Sequence, residues 1–275
     1  MTISYLANAL PVPDAVKAGT GVGWFFTIWG GGIGLLALPW CVHRGFRDKN
    51  WLPTLMWFGG ALAIVPEPLI DHVCYLWWPN DLPGPVLSGW DVNVPLFIPF
   101  AYAFFVGLDG YIGYVFMRRG ISIKGVWMLF LVFIVSDLAL EYPGVGLGAY
   151  EYYGSQPFQL GPLPLWVTWI NATGMLLGAF ILWLASPHLK GWNRLFVVMI
   201  PMLGYVTSWF TLAWPNYMAL EWDPPIAVRF ALSSLSLAFC LAVVAAIGRA
   251  VSSSRADGHS PIAESSAGAT SHVSP

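Results

Sequence analysis

Seven long apolar segments dominate the sequence and constrain what it can fold into. Each is long enough to cross about 30 Å of hydrocarbon as a helix that rises about 1.5 Å per residue. We therefore predict an all-α, polytopic membrane protein with a bundle of seven transmembrane helices. The predicted spans are residues 22–42, 51–76, 94–117, 125–142, 163–185, 195–214 and 226–248.

The composition supports a lipid environment. Of the 275 residues, 57% are hydrophobic and 9% are charged, whereas a soluble domain carries about 25% charged residues. A compact soluble fold has no means of hiding so much apolar surface, so we expect the excess to face membrane lipid. The N-terminus has no cationic stretch before its first apolar run, so we expect no cleaved signal peptide. The expected location is the cell membrane, as a multi-pass protein.

The positions of the basic residues predict the orientation. Ten of the twelve Lys and Arg residues follow spans one, three, five and seven, and so lie on one side of the bundle. Basic residues favour the cytoplasmic side, which places the N-terminus outside and the C-terminus in the cytoplasm. The predicted divisions are an outer segment (1–21), a transmembrane domain (22–250) and a disordered cytoplasmic tail (251–275). The ten residues are Arg44, Arg47, Lys49, Arg118, Arg119, Lys124, Lys190, Arg194, Arg249 and Arg255.

Two pairs of acidic residues lie inside predicted spans, where charges are costly and usually functional. Glu67 and Asp71 are four residues apart and share one face of span two, and Asp137 and Glu141 have the same spacing in span four. Both spans run outward, so both pairs belong to the outer half of the membrane. Because like charges repel, we expect at least one acid of each pair to be protonated near neutrality. A protonated carboxyl beside an ionised one suits acid–base catalysis, which makes these four the candidate catalytic residues.

Polar and aromatic neighbours supply candidates for substrate binding. Arg229 lies early in span seven and is a candidate counter-ion for the acids, whereas Asp109 in span three is expected to be structural, bonded to a Tyr or Ser hydroxyl or facing a cytoplasmic vestibule. The alternatives are that the acids at the span ends meet headgroup water and that the aromatics only pack or anchor the helices. The six substrate-binding candidates are His72, Tyr142, Trp166, Trp169, Asn171 and Arg229.

Several classes of chemistry lack their sequence signals. There is no basic block for nucleic acid, and the three cysteines form no CxxC pair. The chain has no dinucleotide-binding loop, no Walker sequence and no nucleophile elbow. A carboxylate-bound Mg²⁺ is chemically possible, but there is no aspartate-rich repeat. We expect neither a metal nor a cofactor.

Parts of the acidic segments resemble a known family. Residues 66–72, 140–144 and 148–154, together with Pro164-Leu165-Trp166, resemble avermectin-type spirocyclase-like membrane proteins. The resemblance covers about 115 residues, from 60 to 175, and implies a multi-pass protein that closes or isomerises rings in an apolar polyketide. The layout is also similar to membrane terpene cyclases, in architecture only.

The leading expectation is a cofactor-free membrane cyclase acting on a lipophilic small molecule. Glu67 or Asp137 would donate a proton, and Asp71 or Glu141 would stabilise a cation or accept one. The alternative is a proton-coupled transporter or lipophile carrier, since buried acids also relay protons. A retinal-type receptor is disfavoured because span seven lacks a Lys. The sequence leaves the oligomeric state open.

Overall fold

A computed structural model of the protein describes residues 17–256. Within this range, six helices are long and apolar enough to cross a membrane, or seven if one bent pair of helices is counted as a single span. The predicted all-α polytopic bundle is confirmed at this level. The N-terminal residues 1–16 and the tail residues 257–275 lie outside the described residues, and so does most of the predicted tail.

The helices follow the predicted order. In the described part of the chain, the α-helices are α1 (Thr20–Asp48), α2 (Leu52–Leu62), α3 (Glu67–Cys74), α4 (Ile98–Tyr102), α5 (Asp109–Arg118), α6 (Ile123–Gly146), α7 (Leu165–Ala185), α8 (Ile200–Thr207), α9 (Trp214–Glu221) and α10 (Ile226–Ala256). Two π-helices (Ala103–Leu108 and Ser208–Leu212) and two 3₁₀-helices (Ser186–His188 and Gly191–Met199) join some of them. Because α10 continues to Ala256, the first residues of the predicted tail are helical.

Predicted span two is a broken helix. Its two halves, α2 and α3, meet at an angle of 53°. Pro66 precedes α3, and Pro68 occupies its first turn. A proline lacks the N–H that would continue the helix and suits a helix start instead. The break places Glu67 at the first residue of α3, inside the bundle.

Predicted span three contains a π-helix that packs so closely on α2 that backbone atoms of the two segments are in contact. A Cβ added at Gly60 would lie 2.4 Å from the carbonyl oxygen of Tyr102 and 2.6 Å from the amide nitrogen of Gly107. A Cβ at Gly107 would lie 2.3 Å from the carbonyl oxygen of Met56. Small residues allow this close approach of helices in membranes. The contact positions Tyr102 beside the broken span.

The long loops at one end of the bundle contain short strands that the prediction did not include. The strands are β1 (Leu76–Trp77), β2 (Leu87–Gly89), β3 (Val92–Val94), β4 (Glu151–Tyr152), β5 (Gln159–Leu160) and β6 (Leu163–Pro164). They form antiparallel ribbons β1–β4, β2–β3 and β5–β6. We call this end of the bundle the loop face, and the opposite end the basic face. The β1–β4 ribbon joins the loop after α3 to the loop after α6.

The surface of the bundle is apolar along its length. Large hydrophobic side chains such as Leu36 (80% exposed) and Val135 (64% exposed) point outward from α1 and α6. Most residues of α7 are buried, which makes it the central helix. Such continuous apolar exposure is typical of lipid contact. The structure therefore indicates a membrane protein.

Candidate functional site

The broken span and α6 bring acidic side chains to one enclosed cavity near the loop face. Glu67, Asp71 and Glu141 all line it, and its volume is about 30 Å³. We call it the acid cavity. Within residues 17–256, no Lys, Arg or His side chain lines it. Its aromatic walls are formed by Phe26, Trp78, Phe97, Tyr102, Phe105, Tyr150, Tyr152, Tyr205 and Trp209.

Two tyrosines hold Glu67. Its side chain is 3% exposed, and its carboxyl accepts hydrogen bonds from the hydroxyls of Tyr102 and Tyr205. The Tyr205 bond measures 3.1 Å from Oη to Oε2. The two tyrosine oxygens are themselves 2.7 Å apart. Since each phenol has one hydrogen, all three of these contacts are hydrogen bonds only when the Glu67 carboxyl carries a proton of its own.

Asp71 lies one turn further along α3 and is also buried. Its Oδ2 accepts the indole N–H of Trp78 across 2.7 Å. The Trp78 ring packs against Tyr150, with 4.6 Å between ring centroids. The loop residue Trp78 therefore links Asp71 to the second loop.

Glu141 is held from the loop after α6. Its Oε2 accepts hydrogen bonds from the hydroxyls of Tyr150 at 3.0 Å and Tyr152 at 3.2 Å. Tyr150 and Tyr152 are buried, and their rings meet edge to face. Each acid of the cavity is thus bound by neutral donors from aromatic side chains, with no cation among the lining residues. Burial of several unpaired charges is costly, so the site favours shared protons over full ionisation.

Asp137 is fully buried but lies behind the cavity wall. Asn171 connects it to the cavity: its Nδ2 donates to Asp137 Oδ1 at 3.2 Å, and its Oδ1 accepts from Trp209 Nε1 at 3.0 Å. Asp137 Oδ2 has no hydrogen-bond partner among the described residues. An unpaired buried oxygen is expensive unless it carries a proton or binds something.

Asp109 lies closer to this group than the sequence indicated. Its Oδ2 accepts a hydrogen bond from Ser136 Oγ at 3.0 Å, and Ser136 directly precedes Asp137. A serine hydroxyl was one of the partners expected for Asp109. The proximity to Asp137 was not expected, since it depends on where α5 crosses α6.

The structure separates the predicted substrate-binding residues. Asn171 lines the cavity. Trp166 lies one layer behind it, where it packs on Trp209 and donates to Gln156 at 3.3 Å. The remaining four line no part of the cavity: His72 and Tyr142 are exposed, Trp169 packs on Phe130, and Arg229 pairs with Asp223.

The structure does not bring Arg229 to the acids as a counter-ion. Because α10 begins at Ile226, Arg229 lies in its first turn, next to the connection that carries Asp223. The three acids that line the cavity instead accept hydrogen bonds from Tyr and Trp side chains. Sequence reasoning did not single out Tyr102, Tyr205 and Trp78, although a hydroxyl inside an apolar span was a usable signal for the two tyrosines.

Two further tyrosines pack against each other beside the site, one after α3 and one after α6. Tyr75 and Tyr153 stack at 5.0 Å between centroids, and Tyr75 Oη donates to Glu221 at 2.8 Å. Burial, and after it the proximity of Cys74, raises the pKa of Tyr153 to about 12. Burial and the Glu221 hydrogen bond also raise the pKa of Tyr75. Both phenols therefore stay neutral, and they tie α3 to α9.

Among the described residues, no group of three His, Cys, Asp or Glu side chains is placed to hold a metal ion. The cavity's chemical groups are carboxyls, phenols, indoles and one amide. Comparison with protein-family models, curated proteins and solved structures finds no match to this chain.

Proposed function

We propose that this protein is a membrane-embedded, cofactor-independent cyclase or isomerase that acts on a lipophilic, oxygen-bearing small molecule by acid–base catalysis. The observation that supports it most is the convergence of Glu67, Asp71 and Glu141 on one cavity with aromatic walls and no cation. In such a site a protonated carboxyl and an ionised one are held side by side. This is the arrangement that moves protons without a cofactor.

Closure of a dihydroxyketone to a spiroketal releases one water and changes no oxidation state. The protonated carboxyl of Glu67 gives its proton to the carbonyl oxygen while a hydroxyl of the same molecule attacks the carbonyl carbon, the C=O π bond breaks, and a cyclic hemiketal forms. Ionised Asp71 or Glu141 takes the proton of the attacking hydroxyl. A second proton transfer to the hemiketal hydroxyl lets it leave as water, and the second substrate hydroxyl then attacks the oxocarbenium carbon and gives up its proton, which closes the second ring. Proton transfer of this kind contributes about 10²–10⁴-fold in rate.

Asp137 has a supporting place in the proposal. It accepts the Nδ2–H of Asn171, whose side chain lines the cavity, and so helps to position the amide of the site. Its unpaired Oδ2 is consistent with a carboxyl that carries a proton of its own.

The spirocyclase resemblance supports the same class of reaction. Segments 66–72 and 148–154, which carry the resemblance, contribute Glu67, Asp71, Tyr150 and Tyr152 to the same cavity. We propose membership of that family on this ground. A spiroketal or terpenoid-type ring closure is the corresponding reaction.

The proposal includes seven spans, with the N-terminus outside, the C-terminus in the cytoplasm, and a location in the cell membrane. Counting α2 and α3 as one span gives seven. The basic residues between and after the spans then collect at the basic face, which favours the cytoplasm. The loop face and the acid cavity near it lie toward the outside.

The test uses a long-chain dihydroxyketone that can close to a spiroketal, presented to the protein in lipid nanodiscs. Glu67→Gln and Glu141→Gln should each slow ring closure by about 100-fold, within the range of acid–base contributions. Asp91→Asn, an exposed acid of the loop face, is the matched control and should be unchanged. Full activity in both cavity variants, with normal melting temperatures, would end the proposal.

The second candidate is a proton-coupled carrier, since buried carboxyls also relay protons. The cavity volume of about 30 Å³ holds about two water molecules, so either function requires the cavity to widen when a lipophile binds. Proton uptake driven by a gradient of the same ketone in liposomes would favour the carrier. Ring closure without proton flux would favour the cyclase.

A further inference from the structure

A second, larger pocket lies next to the acid cavity on the loop face. Its volume is about 260 Å³. We call it the vestibule. It is lined by Trp77, Pro79, Val145, Gly148, Tyr150, Glu151, Tyr152, Gln159 and Pro162.

Tyr150 and Tyr152 line both the vestibule and the acid cavity. Their rings therefore form the wall between the two spaces. Their hydroxyls hold that wall in place by donating to Glu141. Displacement of the two rings would connect the larger vestibule with the smaller acid cavity.

One of the residues that line the vestibule carries an unpaired donor. Trp77 is one of its lining residues, and the indole Nε1 of Trp77 is buried without a hydrogen-bond partner among the described residues. A buried N–H left unpaired costs free energy, and a bound acceptor oxygen removes that cost. The apolar walls from Val145, Pro79 and Pro162 suit a hydrocarbon body.

We propose that the vestibule binds an oxygen-bearing lipophile, whose oxygen accepts the Trp77 N–H, and that Tyr150 and Tyr152 form the gate through which it reaches the acids. This inference rests on the proposed function and names its entry site and ligand class. A neutral ketone, ether or alcohol fits, whereas an anionic lipid would meet the acidic Glu151 in the same pocket.

Opening of the gate also frees Glu141, one of the proposed catalytic groups, from its hydrogen-bond donors. When the tyrosines move, Glu141 loses the two donors that occupy its Oε2 and becomes available to the substrate's hydroxyl. The β1–β4 ribbon couples the two events, because it pairs Trp77 with Glu151 and Leu76 with Tyr152. Occupation of the vestibule at Trp77 thus acts on the strand that carries the gate.

Cys74 lines the acid cavity. The rate at which a reagent labels its thiol therefore reports how often the gate opens. Replacing Cys41 and Cys240 by Ala leaves Cys74 as the single thiol, because the chain has three cysteines. Methyl methanethiosulfonate converts it to a methyl disulfide, with release of methanesulfinate, and mass spectrometry measures the rate.

Tyr152→Ala should speed Cys74 labelling by about tenfold or more, because it removes part of the wall and a hydrogen bond that favours the closed state. Tyr152→Phe keeps the ring and should give a smaller increase, which keeps the test valid if the Ala variant folds poorly. Trp222→Ala, an exposed aromatic that follows α9 and lines neither space, is the matched control. Labelling rates equal to the parent in both Tyr152 variants would overturn the gate.

The Trp77 interaction is tested by protection. Gln159→Cys places a thiol in the vestibule, and 2-undecanone should slow its labelling by about threefold or more, whereas undecane should not, since only the ketone accepts a hydrogen bond. Trp77→Phe should abolish the difference between the two compounds. Equal protection by both compounds, or ketone protection that survives Trp77→Phe, would overturn the assigned ligand contact.

These measurements need no turnover, so they separate the two proposals. If labelling contradicts the vestibule while Glu67→Gln still abolishes ring closure, the entry site is wrong and the cyclase stands. If labelling behaves as expected while the acid variants stay fully active, the vestibule stands as a lipophile site and the cyclase is wrong.

Discussion

Trp78 donates its indole N–H to Asp71 across 2.7 Å, although the chain reverses between them at Tyr75, which adopts the left-handed conformation at φ 60°. The turn ends α3 and brings the first loop residues back over the acid cavity. A loop aromatic thereby becomes the hydrogen-bond donor to a carboxyl inside the bundle. The loop after α3 therefore forms part of the site in addition to connecting two helices.

Trp78→Phe should lower ring-closure activity and stability together. The ring packing is kept, but Asp71 loses its donor, and a buried acceptor left unpaired costs about 1–3 kcal/mol. The measurement is the dihydroxyketone assay with a thermal melt in nanodiscs. Trp222→Phe, an exposed tryptophan at the end of α9, is the control and should change neither value. A Trp78→Phe variant with parental activity would show that Asp71 does not need this donor.

Tyr205 and Glu67 should be energetically coupled. A double-mutant cycle with Tyr205→Phe and Glu67→Gln, measured by unfolding in mixed micelles, should give a coupling free energy of about 0.5–3 kcal/mol, as found for residues in one hydrogen-bond network. The cycle between Tyr205→Phe and Asp91→Asn should give none, because Asp91 is exposed in the loop between β2 and β3. Equal coupling in both cycles would contradict the observed bond.

Asn171→Ala should destabilise the protein by about 2 kcal/mol or more, since it removes the partner of both Asp137 and Trp209 and leaves two buried polar groups unpaired. Asn193→Ala, an exposed asparagine in the 3₁₀-helix before α8, is the matched control. The free energy of unfolding of each variant is the measurement. A loss no larger than that of Asn193→Ala would mean that water replaces the amide.

Gly60→Ala should destabilise the bundle by about 1–3 kcal/mol, the usual cost of overpacking. The new methyl would meet backbone atoms of Tyr102 and Gly107, which cannot rotate away. Gly32→Ala in α1 is the control, since its added Cβ meets nothing within 4 Å. It should be neutral or stabilising, because Ala favours helices. Comparable melting temperatures for the two variants would contradict the packing of α2 against span three.

The start of α1 should depend on pH through Asp81. Slight burial of its carboxyl acts to raise the pKa, but hydrogen bonds from the backbone N–H groups of Gly19 and Ala18 outweigh it, and the pKa lies below its ordinary value. A lowered folded pKa means that the stabilisation is complete above about pH 3.9 and is lost as pH falls through the folded pKa.

Hydrogen exchange at the first turn of α1 tests this dependence. Asp81→Ala should reduce protection by about fivefold at pH 6, comparable to the loss of a helix cap. The difference between the variant and the parent should shrink at pH values below the folded pKa. A difference that is independent of pH would exclude the ionised carboxyl as its cause.

The positions of the long apolar helices and the shared face of Glu67 and Asp71 were predictable because they depend on local apolar runs and helical spacing. Glu67 and Asp71 share one face of α3 as their spacing required, and both line the acid cavity. The Arg229 contact was not predictable, since it depends on where α10 begins. Pro66 is a usable signal for the break before Glu67, whereas the length of the apolar run predicts one continuous span.

Contacts between segments that are distant in the sequence could not be predicted from it. Tyr102, Tyr205 and Glu67 come from three different spans, and their meeting depends on a π-helix and on glycine contacts that set the helix spacing. Likewise, the closeness of Asp109 to Asp137 follows from one helix crossing. Single-sequence spacing carries no information on such crossings.

The β1–β4 ribbon makes the two loops interdependent. Leu76 faces Tyr152 and Trp77 faces Glu151 across the ribbon. Since neighbouring strand residues point to opposite sides, a shift of one position in either loop would turn the Tyr152 phenol away from Glu141 and aim the Glu151 carboxylate inward. Insertions in one loop therefore need a compensating change in the other, and transplanting a single loop between related proteins would carry over an incomplete site.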